Sequence, residues 1–274
     1  MNECLFRTLT EADLRLPFYM TGSGGWNNQE TVLREQGFPD YQWIQCLEGE
    51  GVLMTEGFRE TVGPGQGMLL FPHQAHEYRA VQEPWRVRWV TFGGKHAEEL
   101  LAGLGFTHSE VLYVAYPEMT LARLQDMEKA ARTEGAMACF EASRLIYDLL
   151  LDLHRYGSAG EQRSAQRHYE RLAPVLAYIE QNYARQLTLE ELADELSVTA
   201  QHLCLLFQQT LGLRPFEYVN RCRIRKAKEA MLREPSLRVQ DVAGQAGFEH
   251  VSYFIKRFRQ LEGMTPSQFR RLYL

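Results

Sequence analysis

Through residues 1–115 the apolar positions come in short runs separated by glycines and turns, the pattern of a β-rich segment. Strands are expected at Tyr41–Leu47, Gly51–Thr55, Gly67–Phe71 and Val87–Phe92, with a turn at Glu56-Gly57. Several short strands at this spacing predict a sandwich or barrel. From Pro117 to Tyr156 the period changes. Leu121, Leu124 and Met127 recur at helical spacing, and Leu145, Ile146, Leu149, Leu150 and Leu153 make a wide apolar stripe on a second helix. Gly135 separates the two helices. Such a hairpin must bury its stripe either on the barrel or on a second chain, and the pattern leaves both open. Gly157–His168 is polar and aperiodic, as a linker would be.

Beyond Tyr169 the helical pattern occurs twice. Leu189, Leu192 and Ala193 recur fifty residues later as Val239, Val242 and Ala243. After one inserted residue, Leu203, Phe207, Gly212, Pro215 and Tyr218 recur as Phe254, Phe258, Gly263, Pro266 and Phe269. Each copy therefore reads as helix, tight turn, helix, glycine stop and proline start. The small Ala193 and Ala243 permit the close crossing of a helix-turn-helix. Thr188 and Glu191 have the spacing of a capping box. One long helix, about Phe216 to Arg233, joins the copies. The second helix of each is expected at Ala200–Thr210 and at His250–Leu261.

Charge changes the picture. The chain carries a net −5, but residues 169–274 hold 15 basic against 12 acidic groups, while residues 1–168 hold 15 against 23. The C-terminal cations cluster at Arg221, Arg223, Arg225, Lys226 and Lys228, and again at Lys256, Arg257, Arg259, Arg270 and Arg271. An acidic half joined to one with basic clusters fits a nucleic-acid module fused to something else. Solvated helix faces would give the same clusters. The five cysteines, Cys4, Cys46, Cys139, Cys204 and Cys222, are odd in number and lack CxxC spacing. They point to a reducing cytoplasm and away from a disulfide framework or zinc site. No apolar run approaches the roughly 20 residues that span a bilayer, so no membrane partner is expected.

Two resemblances carry the reading further. Gly247-Phe248, Ser252-Tyr253-Phe254, Lys256, Phe258, Gly263, Thr265-Pro266 and Phe269-Arg270 resemble the signature of the AraC/XylS family of bacterial transcription regulators. The likeness extends over residues 169–274. Val62–His76, with Gly65, Pro72 and His76 in place, resembles the second half of the cupin barrel motif. Metal-binding cupins also carry two His and a Glu in a first motif. Here Gln42 stands at the place of that Glu, and no His lies between Met1 and Tyr41. Neither a metal nor another cofactor is therefore expected.

The resemblance implies an α+β chain of two domains. Residues 1–116 would be a cupin-like effector barrel, 117–156 a helical hairpin that dimerises, and 157–168 a linker. Residues 169–274 would be an all-α DNA-binding domain with helix-turn-helix units at 187–212 and 237–263. It implies no enzyme but a regulator that binds double-stranded DNA, usually an activator, working as a homodimer with a small effector such as a sugar and meeting RNA polymerase. Two recognition helices on one face of the duplex would sit roughly 10 bp apart. A cupin-type enzyme with accessory helices, and a repressor whose barrel only dimerises, are the alternatives.

Base-facing positions carried over from the family are Gln201, Cys204, Leu205 and Gln208 in the first unit, and Glu249, His250, Ser252 and Lys256 in the second. Many family members have Arg where Leu205 stands. A leucine can touch only a thymine methyl, so apolar readout is expected there, with Gln201 available for adenine. Thr199, Arg257 and Arg259 suit phosphates. Ligand positions carried over are Glu48, Tyr78 and Trp89. Glu48 departs from the cation of the family's arabinose binder. Trp26 and His76 join them on chemical grounds, an aromatic ring in a Gly-rich segment and a pocket histidine.

Overall fold

A computed structural model describes residues 2–133, 137–159 and 165–273. It divides into two compact units, Met1–Gln166 and Arg167–Leu274. The first contains β1 (Glu3–Phe6), α1 (Glu11–Arg15), β2 (Tyr19–Trp26), β3 (Val32–Arg34), β4 (Tyr41–Thr55), β5 (Arg59–Val62), β6 (Gln66–Leu70), β7 (His76–Gly93), α2 (Ala97–Gly103), β8 (Glu110–Val114), α3 (Pro117–Arg132), α4 (Ala138–Tyr156) and β9 (Gly157–Ser158). The second is all helix. It comprises α5 (Ala165–Asn182, entered from the end of the first unit), α6 (Leu189–Asp194), α7 (Ala200–Leu211), α8 (Pro215–Arg233), α9 (Val239–Gln245), α10 (Val251–Glu262) and α11 (Pro266–Tyr273).

Two long strands carry the first unit. The separate strands expected at Tyr41–Leu47 and Gly51–Thr55 are one, β4, which runs antiparallel to β7 from Tyr41↔Phe92 to Thr55↔His76. Register shifts between Cys46 and Gly51 bulge β4, and bulges bend a strand. Among the described residues the sheet follows an open path, β1-β2-β7-β4-β6-β8-β9, rather than closing as a complete barrel. Side-chain alternation sorts its two faces. Tyr41, Trp43, Leu69, Val90 and Phe92 face α3 and α4, whereas Ile44, Cys46, Met68, Leu70, Val87 and Trp89 gather on the other face.

The apolar stripe of α4 (Leu145, Ile146, Leu149, Leu150 and Leu153) is buried against that sheet. The stripe is thus satisfied within the unit, and a dimer needs another face. Gly135 lies outside the described residues. The segment expected as a linker differs in part: Gly157–Ser158 pairs with β8, and α5 already begins at Ala165.

The second unit has two cores. Leu172, Val175, Ile179, Leu192, Leu203 and Phe207 form the first, and Val242, Ala243, Phe254, Phe258 and Phe269 form the second. The helix α8 serves both, with Val219 and Cys222 in one and Ile224, Ala227 and Met231 in the other. The repeat is visible in the backbone. Gly212 and Gly263 end α7 and α10 in the left-handed conformation (φ 65° and 73°), and Pro215 and Pro266 open the next helices. Ser197 and Gly247 take equivalent left-handed places in the two turns (φ 52° and 83°).

Candidate functional sites

One face of the sheet in the first unit, the face away from α3 and α4, lines a half-open cavity of about 260 Å3. Its aromatic lining is Phe6, Trp26, Phe38, Tyr78 and Trp89, and its polar lining includes Gln29, Arg34, Gln42 and Thr91. Strand pairing explains the gathering. The β3 strand lies on β7 with Val32↔Tyr78 and Arg34↔His76, while Gln42 and Thr91 are direct partners between β4 and β7. The guanidinium of Arg34 stacks on Phe38 at 4.3 Å and donates to Gln42 Oε1. No carboxylate pairs with it among the described residues. Glu30 lies in the lining at an exposed position.

Of the five ligand positions expected from sequence, Trp26, Tyr78 and Trp89 line this cavity. His76 is buried beside it and stacks on Tyr78, with 6.0 Å between ring centres. Its Nδ1 meets the carbonyl of Gln74 at 2.8 Å, and its Nε2 is buried without a partner. Burial holds the imidazole below its ordinary pKa, and the Arg34 cation acts in the same direction while the Gln74 contact opposes them. Burial also raises the Tyr78 phenol, with Arg34 opposing.

Glu48 is absent from the lining. It sits at the β4 bulge, half exposed, and pairs with Arg86 at 3.2 Å. Sequence reasoning missed Arg34, Gln29, Phe38 and Thr91. Only Gln42 had a signal, as the residue standing at the cupin glutamate's place. Among the described residues no three His, Cys, Asp or Glu side chains gather as a metal site.

In the second unit, Leu203, Leu206 and Phe207 fix α7 to the core. Gln201, Cys204, Leu205 and Gln208 then share the opposite stripe at i, i+3, i+4 and i+7. Likewise Phe254 and Phe258 anchor α10, which leaves Ser252 and Lys256 exposed, together with Glu249 and the N-cap residue His250. The cations of α8 are mostly engaged internally. Arg223 donates to the carbonyls of Tyr183 and Arg185, each at 2.8 Å. Arg225 pairs with Glu180, Lys226 with Glu229 at 3.1 Å, and Lys228 with Glu262 at 2.7 Å. Arg270 donates to the Leu237 carbonyl at 2.6 Å. The α8 cluster read from sequence as a nucleic-acid signal is therefore largely structural; Arg221 is exposed.

Residues 192–272 match the family model of a helix-turn-helix domain, and residues 25–159 match that of an AraC-like ligand binding domain. The chain is 26% identical over 256 residues to the HTH-type transcriptional activator RhaS of Klebsiella pneumoniae, covering 88% of this chain and 91% of that protein. It is 23% identical over 228 residues to the raffinose operon transcriptional regulatory protein RafR of Pediococcus pentosaceus, covering 82% of each. A solved structure of a probable AraC family transcriptional regulator from Rhodopseudomonas palustris is 24% identical, covering 38% of this chain and 97% of that one, with a TM-score of 0.36.

The buried His76 gives the first unit a pH dependence of definite sign. The folded state keeps the imidazole neutral, while the unfolded chain protonates it below about pH 6.5. Its share of stability is thus complete above that pH and declines as pH falls through the window beneath it. Replacing His76 with Gln is expected to flatten the fall of melting temperature as pH drops below about 6.5. Parallel curves for the two proteins would overturn the assignment.

Proposed function

The chain belongs to the AraC family of DNA-binding transcription regulators, and on that premise we propose that it is a ligand-responsive activator and works as a dimer. It is a regulator, not an enzyme. No helix among the described residues is long and apolar enough to cross a membrane, and the cytoplasm, where the promoter DNA lies, is its proposed location.

The observation that carries the ligand reading is the cavity on the sheet face away from α3 and α4. Aromatic rings with a few convergent polar groups suit a small polar organic molecule. Three indole or phenol rings supply flat faces for a ring-shaped ligand, while Arg34 and Gln42 supply directed hydrogen bonds. A sugar or sugar derivative fits this chemistry. The name of RafR, of a raffinose operon, agrees with it, and that of RhaS, an activator, agrees with the activator role. The two helix-turn-helix units supply the DNA reader, with Gln201, Cys204, Leu205 and Gln208 on one helix and Glu249, His250, Ser252 and Lys256 around the other facing bases.

The dimer contact proposed is the outer face of α4. Phe140 and Leu151 are exposed there, on either side of Arg144. Arg144 pairs within its own chain with Glu141 and Asp148, both at 2.6 Å. Contact with RNA polymerase follows from the activator role.

Three outcomes are expected. Purified protein should protect promoter DNA in a footprint, and Lys256→Ala should weaken specific over scrambled DNA by about 1–3 kcal/mol if Lys256 meets a base; equal protection of any sequence would sink the regulator assignment. In a thermal-shift panel of neutral sugars, sugar acids and other polar metabolites, a ligand at 100 times its Kd should add about 2.7 kcal/mol. Arg34→Gln should abolish that gain, and silence across the panel would favour a cavity that senses nothing. Sedimentation should find a dimer that Phe140→Glu dissociates, and a monomeric parent protein would refute the α4 interface.

A further inference from the structure

The two recognition helices share a backbone but present opposite chemistry. From Ala200 to Leu211, α7 reads AQHLCLLFQQTL and holds no Lys, Arg, Asp or Glu. Its outward stripe is Gln201, Cys204, Leu205 and Gln208, with Leu205 at the middle and 51% exposed. The internal repeat, offset by fifty-one residues, places these four on Ser252, Ile255, Lys256 and Arg259 of α10. The same stripe is therefore neutral on one helix and doubly cationic on the other. Neither Lys256 nor Arg259 has an ion-pair partner among the described residues.

A leucine in the major groove can neither donate nor accept a hydrogen bond. The base-edge feature it matches is the C5 methyl group of thymine. The glutamines on the same stripe can bond adenine at N6 and N7. With no cation on its face, α7 releases no counterions of its own from the phosphates. Resting on the assignment of the helix-turn-helix units as the DNA reader, we infer that the two units divide the work. The first reads an A·T half-site through thymine methyl groups at Leu205, independently of salt. The second supplies the salt-dependent part of binding through Arg259, beside the base-facing Lys256.

The test uses the full-length protein and duplexes enriched by it from a random-sequence pool. The half-site whose preference survives Lys256→Ala is assigned to α7, and each of its thymines is replaced in turn by deoxyuridine, which removes only the methyl group. At least one replacement should cost about fourfold in affinity, the worth of one buried methyl. That cost should vanish in Leu205→Ala. Leu205→Ala should also leave the slope of log affinity against log salt unchanged, whereas Arg259→Ala should reduce it by about one. Retained preference for the second half-site shows that Leu205→Ala is folded. Deoxyuridine tolerated throughout the half-site, or costing Leu205→Ala as much as the parent, overturns methyl reading while the DNA-reader assignment stands. A pool with no enriched sequence overturns both.

Discussion

The second unit depends on α8 being one unbroken helix. Nineteen residues at about 1.5 Å each make a rod of roughly 28 Å. Its first turns complete one core and its later turns the other, so neither helix-turn-helix can shift without disturbing the shared rod. Polar ties reinforce it. Arg223 reaches the carbonyls at the end of α5 and lies 5.7 Å from the Phe248 ring centre, joining the first core's supporting helix to the second unit's turn. Burial depresses its pKa, yet an arginine remains charged at neutral pH. A half-buried cation held by two carbonyls fixes geometry more than it adds stability. Two helix-turn-helix units mounted on such a rod hold a mutual spacing that folding has already set.

A comparable economy governs the first unit. Before the bulge in β4, the alternation of β4 and its β7 partner gives one face to the helices and the other to the cavity, so a single pair of strands builds both the core and the candidate binding surface. A ligand contacting Thr91 or Gln42 would touch strands whose next residues, Val90, Phe92, Tyr41 and Trp43, pack under α3 and α4. No slack lies between the cavity and the helical layer, because those residues are fully or nearly fully buried.

This geometry also explains what could be read from sequence and what could not. The repeat was legible because helix spacing, glycine stops and proline starts are local signals, and each falls at a fixed distance along the chain. Trp26, Tyr78 and Trp89 were legible as cavity candidates because they match a family position or stand out chemically. Glu48 was misplaced for a physical reason. Alternation is reliable only while the register holds, and the bulges between Cys46 and Gly51 break it. The carboxylate ends beside Arg86 at the bend, outside the cavity. Arg34 was invisible for the opposite reason. Its three-residue strand has no periodicity of its own, and it reaches the cavity only by pairing with His76 some forty residues away. The basic run of α8 pointed to the nucleic-acid module, but a sequence counts charges and not their partners, and most of these cations are engaged within the unit.

The two helix-turn-helix copies reach one backbone by different physics, and this frees their outer faces to differ. The first copy has Ser197 where the second has Gly247, and a left-handed serine costs about 1–2 kcal/mol. It is steadied by a polar network. Thr188 and Glu191 cap α6 reciprocally, and Glu191 also receives Arg185 and the Tyr178 hydroxyl. The Arg185 bond, above all, pushes the Glu191 carboxyl down to about 2. In the second copy no side chain caps the first helix at Arg238. It relies on a ladder of rings, Phe248, Phe254, Phe258 and Phe269, with neighbouring centres 5.1, 5.6 and 5.7 Å apart. In neither copy does the outward stripe of the recognition helix take part in holding the turn. Leu205 and Lys256 are therefore not demanded by the fold, and the contrast between them is left for the DNA to explain.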